Sequence, residues 1–474
     1  MEPEEAARPP HNGIAVFLLP AKVDQTGHCA ALKLWIGRQD TRVIDWQQQI
    51  LIVSPFFYPE LISTGKANQH LAEAFVAEGH GVSVVCSHPL YPAWEPVRSS
   101  ARIPGMTIVR GGAGIRYPMA MPLRRLKLEA WFAVFATRSV WRRRKKADVV
   151  VSILPPSLFI LFVNRILPRH VRRVAVVHDL QGVLAAQENG FLRRAIVRMI
   201  HAVESRAFRS QDLCIFFSED MARIAQQSYG LHPSQIAVQY PSITLPASHH
   251  AKRATTSAHH LDAQFPPDKV HVVYSGALGY KQNSQELVAL MHAAAMRHPE
   301  VQFHVLSGGP FYESLRAEYE QRKGSRVQFH PLVPEQDLAE LYARSAIHII
   351  PQAEGTESAA LPSKLPNLLA AGVHLLAICS SGSEVERMIQ LAGTGTIATE
   401  WDEELFLTRL QEALEIVQRE SASARRARVE PILDRFSITN MVRLVTGEQA
   451  APEDPRPKKH EPVRETTAAR SEAR

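Results

Sequence analysis

Residues 49–87 read QILIVSPFFYPELISTGKANQHLAEAFVAEGHGVSVVCS, and their order decides the fold. Ile50 to Val53 form an unbroken apolar run closed by Pro55 and Pro59. Such a run suits a strand covered on both faces, as in a parallel sheet. From about Lys66 to Glu78 the spacing of Leu71, Phe75 and Val76 lays one apolar stripe along a helix. GHGVSVVCS then supplies a turn, with His80 in it, and a second buried strand. A β-loop-α-β unit of this composition predicts an α/β domain.

The same alternation runs outward. DVVVSIL, RRVAVVHD and DLCIFFS read as further strands with helical segments between them. Around Tyr240 to Pro267 the periodicity stops and Pro, Ser, Thr and His accumulate. A second series starts at KVHVVYSGALGYKQ and continues through VQFHVLSG, VQFHPLV, IHIIPQA and VHLLAIC, with a last helical stretch near 402–420. The expected organisation is a poorly ordered extension (1–48), an α/β domain (49–245), a linker (246–268), a second α/β domain (269–436) and a disordered polar tail (446–474). Two doubly wound domains of this kind bind ligands at their strand C-termini, which places a site in the cleft between them.

Charge is distributed unevenly. The chain of 474 residues has a formal net charge of +7, yet Ile50 to Leu245 carry 24 basic against 12 acidic residues, leaving the rest net acidic. Nucleic acid, anionic lipid or a phosphorylated substrate each suits a basic half. The segment LRRLKLEAWFAVFATRSVWRRRKKAD (123–148) mixes aromatics with nine basic residues. It fits an anionic membrane surface, through 123–146, or a helix with one solvated face. No RNP or helix-turn-helix signature accompanies it, so no nucleic-acid partner is expected. Four scattered cysteines (Cys29, Cys86, Cys214, Cys379) show no metal-ligand spacing and read as reduced cytosolic thiols. The start is acidic and proline-rich, unlike a signal peptide, and the longest apolar run, Val149 to Val163, is interrupted by Pro155-Pro156.

Four places carry residues suited to chemistry. In ALPSKLPNLLAAG (360–372), Pro362, Ser363 and Lys364 are read as the first turn of a helix, whose free N–H groups and dipole attract anions; Asn367 offers a donor and an acceptor one turn on. A capped helix with a solvated lysine is the alternative. In YSGALGYKQ (274–282), Gly276 and Gly279 allow close backbone approach and Lys281 stands at the next helix. Two such lysine-bearing turns in one domain suit a diphosphate. Gly65 and Lys66 stand at a helix entrance after a long loop, facing an acceptor, a diphosphate or nothing. His178-Asp179 ends a strand, where an imidazole meets a sugar hydroxyl, moves a proton or pairs with its neighbour.

At these residues the chain resembles the family-4 glycosyltransferases, in particular the branch that includes the colanic acid fucosyltransferases. The shared patterns are YxPE…G, GHxVxVxxxxPxYP, YSGxxGxKQ and LPSKLxNxLAxG, spread from about Gln49 to Phe436. The resemblance implies a GT-B fold, two Rossmann-like domains facing a cleft, and transfer of a sugar from a nucleotide-diphosphate sugar, with retention and without a bound metal or other cofactor. It implies that Lys281 and the Pro362-Ser363-Lys364 turn contact the diphosphate. Asn367 falls where many relatives carry a glutamate for the ribose, and Leu332 and Val333 in the loop that cradles the base. His178 falls near the donor sugar, and the Gly65 loop faces the acceptor. Departures are visible: Ala359 replaces the first family glutamate, Glu357 is acidic but out of register by two, and Leu278 stands at the usual arginine. The expected function is extension of a lipid-linked or polysaccharide acceptor in exopolysaccharide or lipopolysaccharide assembly, on the inner face of the cytoplasmic membrane. The alternatives are a catalytically lapsed GT-B scaffold and a GT-B nucleotide-sugar epimerase.

Overall fold

The computed structural model describes residues 48–60, 62–91, 93–181, 191–245, 259–322, 324–356 and 361–448, without the side chains of 191–195 and 259–260. The extension (1–47), most of the linker (246–258), Glu357 and the tail from 449 lie outside the described residues.

The first half is a parallel sheet of β1 (Gln49–Val53), β2 (Gly81–Ser87), β3 (Met106–Gly111), β4 (Val149–Leu154), β5 (Arg172–Val177), β6 (Leu213–Phe216) and β7 (Ile236–Val238), in the order β3-β2-β1-β4-β5-β6-β7. The second is a parallel sheet of β8 (Val270–Ser275), β9 (Val301–Ser307), β10 (Val327–Pro331), β11 (Ile347–Pro351), β12 (His374–Ile378) and β13 (Gly395–Ala398), in the order β10-β9-β8-β11-β12-β13. Helices cover both faces of each. That is why β1 and β4 are apolar at nearly every position: Leu51 and Val53 pack to one side, Ile50 and Ile52 to the other. Strand order reverses at β1/β4 and at β8/β11, so each sheet opens a crevice at its carboxyl edge there.

Three features differ from the expectations. The first helix spans Ser63–Ala77, starting three residues earlier than expected, so Gly65 and Lys66 fall in its first turn. The stretch read as linker contains a helix, His259–Gln264, anchored by buried Leu261 and Phe265 against the second sheet. The last helix, Ile438–Thr446, returns to the first half, where Met441, Val442 and Val445 pack with Leu71 and Phe75. Its apolar stripe needs a partner, and the Ser63–Ala77 helix supplies one.

The second half also buries a chain of imidazoles. His271 Nε2 lies 2.8 Å from the Pro266 carbonyl, His271 Nδ1 is 3.0 Å from His304 Nε2, and His304 Nδ1 is 3.1 Å from His330 Nε2. A carbonyl only accepts, so His271 carries its proton on Nε2; its Nδ1 therefore accepts from His304 Nε2–H, and His304 Nδ1 from His330 Nε2–H. The chain is complete with all three rings neutral. Burial holds His304 down to about 2, with His271 and His330 opposing its charge, and burial holds His374 down to about 4. The unfolded chain takes up these protons below about pH 6.5 while the fold refuses them, so stability falls with falling pH. Each such histidine contributes a loss of about 1.4 kcal/mol per pH unit below that point until its folded value is reached. Urea midpoints measured from pH 7 to 4.5 are expected to drop steeply, and His304→Phe to flatten the slope.

Candidate active site

The crevice is lined from both halves. From the first, His178 and Asp179 follow β5. The His178 N–H continues the sheet by donating to the Leu154 carbonyl at 2.9 Å. Its ring lies 4.8 Å from that of Phe217, and its buried Nε2 meets no partner among the described residues. Burial depresses His178 to about 4, against the opposing pull of Asp179. The ring is therefore neutral near pH 7, suited to hydrogen bonding and not to carrying charge.

From the second half, two lysines stand at the carboxyl edge of β8 and β11. Lys364 Nζ donates to the Ser275 carbonyl at 3.0 Å and sits 4.0 Å above the Tyr274 ring centroid. A Cβ placed on Gly276 would lie 3.5 Å from that amine, and the Gly276 φ of +146° belongs to glycine. The two turns singled out in the sequence thus meet at this amine. Among the described residues Lys364 pairs with no carboxylate. Desolvation lowers its pKa from 10.5 to about 7. Beneath it His348, fully buried with both ring nitrogens unpartnered among the described residues, is held neutral by burial and by the Lys364 charge.

Lys281 lies in a single 3-10 turn, Tyr280–Gln282, whose carbonyl at Lys281 accepts from Ala353 N–H at 2.9 Å. Its ammonium reaches across the crevice to Asp179 Oδ1 at 3.0 Å. Gly279 anchors the turn by accepting from Gln282 N–H and Ser284 Oγ–H. An exposed pair of this kind contributes at most about 1 kcal/mol. An anion between the halves can displace it. Asp179→Asn is therefore expected to tighten nucleoside diphosphate binding by up to about fivefold in calorimetry, by freeing Lys281.

Other expectations are revised. The helix after Lys364 is Leu365–Ala371, with Lys364 as its N-cap residue and Pro366 near its start. Pro362 and the exposed Ser363 belong to the turn before it, so this short helix offers less dipole than the sequence reading assumed and the amine supplies most of the positive charge. Asn367 is tied to the segment that joins the halves. It is buried, its Oδ1 accepts from Thr244 N–H at 2.8 Å and Leu245 N–H at 3.3 Å, and its Nδ2 donates to Thr244 Oγ1 at 2.9 Å. Its hydrogen-bonding capacity is spent on the segment joining the halves. Gly65 is buried beneath Glu60, where a Cβ would approach the Glu60 Cβ to 2.9 Å. Lys66 pairs with Glu335 of the other half at 3.0 Å. Leu332 and Val333 follow β10, two strands from β8, with Leu332 exposed and Val333 packed inward. Leu278 is core, not a contact.

Residues to which the sequence reading gave no role tie the halves and loops together. Glu384 is buried, and its carboxylate accepts from Glu219 N–H at 2.7 Å and Asp220 N–H at 3.0 Å in the first half; Arg387 pairs with Asp220 at 2.9 Å. Glu60 holds the loop after β2 through Leu90 N–H and Tyr91 N–H. Glu384 opens the helix Glu384–Ala392 and Glu60 lies in the loop before the first helix, and only their distant backbone partners show what they hold. Among the described residues no group of three or more His, Cys, Asp or Glu side chains is placed to hold a metal ion.

Two parallel sheets, each flanked by helices and opening on a shared crevice with unpaired positive charge at its floor, define the GT-B class of glycosyltransferases. Residues 65–245 match the family Glycosyltransferase Family 4, and residues 257–429 match Glycosyl transferases group 1. The chain belongs to this family of glycosyltransferases. It is 25% identical over 358 residues to a protein of Escherichia coli K12 named as a colanic acid biosynthesis glycosyl transferase, WcaI, covering 72% of this chain and 86% of that one. In fold it is similar to WaaG, a glycosyltransferase involved in lipopolysaccharide biosynthesis, with a TM-score of 0.63, 17% identity, 84% of this chain and all of that one covered. It is also similar to sucrose-phosphate synthase from Thermosynechococcus elongatus, with a TM-score of 0.63, 16% identity and coverage of 84% and 98%.

Proposed function

We propose that the protein transfers a sugar, with retention, from a nucleoside-diphosphate sugar to a lipid-linked saccharide during assembly of a cell-surface polysaccharide. The observation that carries this reading is the half-buried Lys364 amine without a carboxylate. Such a cation is costly in an empty site and is neutralised by a diphosphate. Lys281 supplies a second positive charge once it leaves Asp179. Together they stabilise the departing diphosphate, the task a metal ion performs in other transferases, so no metal is required. A donor phosphate oxygen takes the acceptor proton on the face the leaving group vacates, and neutral His178 hydrogen-bonds the donor sugar. The names of WcaI and WaaG support a polysaccharide or lipopolysaccharide product. Calorimetric titration with UDP, GDP and dTDP and their sugars tests the reading: one series binds, and turnover needs an added acceptor. No binding by any of them favours a lapsed scaffold, and turnover without an acceptor favours an epimerase.

The membrane partner is proposed on the outer face of the Met121–Trp141 helix. Leu128, Phe132, Ala136 and Val140 face the core, while Leu123, Leu126, Val134, Trp141 and neighbouring Phe162 are exposed. Arg138 and Arg142 flank an open apolar groove of about 830 Å³ there. No described helix is long and apolar enough to cross a membrane. Apolar side chains amid cations suit shallow insertion into an anionic leaflet on the cytoplasmic side. Sedimentation with phosphatidylglycerol vesicles is expected to capture the protein at low salt; changing Arg142, Arg143, Arg144, Lys145 and Lys146 to Gln should reduce capture at least about tenfold, at about 1 kcal/mol per charge. Equal capture by neutral vesicles contradicts this.

A further inference from the structure

The first sheet carries a second cationic hollow, away from the two lysines. It lies at the carboxyl ends of β2 and β3, has a volume of about 530 Å³, and is lined by His88, Arg98, Ser99, Ser100, Arg110 and the Gly111–Ala113 turn. No carboxylate lines it. Among the described residues neither arginine is paired with an acid.

Its groups are fixed for donation. Ser99 N–H donates to His88 Nδ1 at 3.1 Å, so the neutral ring carries its proton on Nε2. Arg110 is held by the carbonyls of Ala101 and Tyr58 through its two terminal nitrogens, and its buried Nε has no partner among the described residues. Arg110 lines the hollow with a guanidinium charge that no acid among the described residues neutralises, and an oxyanion is drawn to it. Arg98 is exposed at the rim of the hollow. The positive field is felt by His88, whose pKa is lowered by burial and then by Arg110 and Arg98.

Position excludes the donor diphosphate as the occupant. β2 and β3 lie three and four strands from β5, which ends at His178. At about 4.8 Å per strand the hollow is roughly 14–19 Å from that histidine. Its floor, by contrast, adjoins the Met121–Trp141 helix: a Cβ on Gly112 would meet Trp131 at 2.6 Å, and the Gly112 φ is +83°. We propose that this hollow binds a phosphate ester of the acceptor, seating it while the acceptor's sugar end reaches His178. The proposal rests on the glycosyltransferase reading above and names the acceptor's anionic group. Two sources share this chemistry, a lipid-borne phosphate and a free sugar phosphate.

The test uses the full chain with ¹⁵N-labelled histidine, the His88 imidazole signal being assigned by its loss in His88→Gln. Inorganic pyrophosphate, glycerol phosphate and water-soluble dihexanoyl phosphatidic acid are titrated separately. The His88 signal is expected to move in the wild type and equally in Lys364→Met. In Arg98→Gln, a change at an exposed side chain that leaves the fold intact, about tenfold more probe should be needed, as for loss of one charge-assisted contact. Tighter binding of the lipid identifies a lipid phosphate; tighter binding of glycerol phosphate identifies a free one. A His88 signal unmoved by all three probes, or moved equally in Arg98→Gln, overturns the proposal. Nucleoside diphosphate binding is followed in parallel. If it persists while His88 stays silent, only this inference fails; if it is absent while His88 responds, the donor assignment fails instead.

Discussion

Replacing Lys364 by methionine is expected to raise the stability of the ligand-free protein while removing its affinity for nucleoside diphosphates. The two effects have one origin. The amine sits on the Tyr274 ring against the Ser275 carbonyl, with no acid to neutralise it among the described residues. Burial moves it from 10.5 to about 7. Above about pH 10.5 it is neutral folded or unfolded; between there and 7 only the unfolded chain holds the proton; below 7 the penalty for charging the buried amine is complete. The shift caps that penalty at about 5 kcal/mol, and partial contact with water reduces it to about 2–3 kcal/mol. Methionine fills the space without the charge, so the melting temperature at pH 7 should rise by roughly 5 °C. Diphosphate affinity should fall about 100-fold with the loss of a charge-assisted contact. A stabilised protein that binds no donor cannot be explained as misfolded.

The second large effect concerns Asn367. Asn367→Leu leaves Thr244 N–H, Leu245 N–H and the Thr244 hydroxyl without their buried partner. Thr244 is exposed, so water replaces part of what is lost, and the combined cost should be about 2 kcal/mol, read as a lower urea midpoint. Asn367→Asp keeps an acceptor for both amides and for the hydroxyl, and should cost about 1 kcal/mol or less. The aspartate variant also separates two roles. If the side chain only ties the connecting segment to the second half, donor affinity stays within about twofold; if the position contacts a ribose, a carboxylate there strengthens binding by about tenfold.

What the sequence disclosed follows from how local each signal is. The central strands were legible because parallel strands buried on both faces are nearly all apolar: Val149 to Leu154 is of strand length and rich in β-branched residues. The edge strand Met106–Gly111 was not, since one face meets solvent and Thr107 and Arg110 interrupt the run. Lys281 and Lys364 were legible through the glycines and prolines around them, which mark turns after strands. The start of the helix was misplaced by three residues because two prolines, Pro362 and Pro366, offer the same signal and only Pro366 lies in the first turn. Asn367 and Glu384 could not be read, because their partners lie 123 and 165 residues away. The return of the last helix to the first half depends on a complementary stripe, which no local pattern announces.

A desolvated amine at the floor of the crevice becomes fully charged only when a diphosphate arrives. Proton uptake measures this directly. Calorimetric titration of the protein with its nucleoside diphosphate at pH 8, in buffers of differing ionisation enthalpy, should show close to one proton taken up per molecule bound, with affinity falling up to about tenfold per pH unit above 7. In Lys364→Met the uptake should vanish. Tight binding with no proton taken up, or the same uptake in Lys364→Met, rules out this role for Lys364.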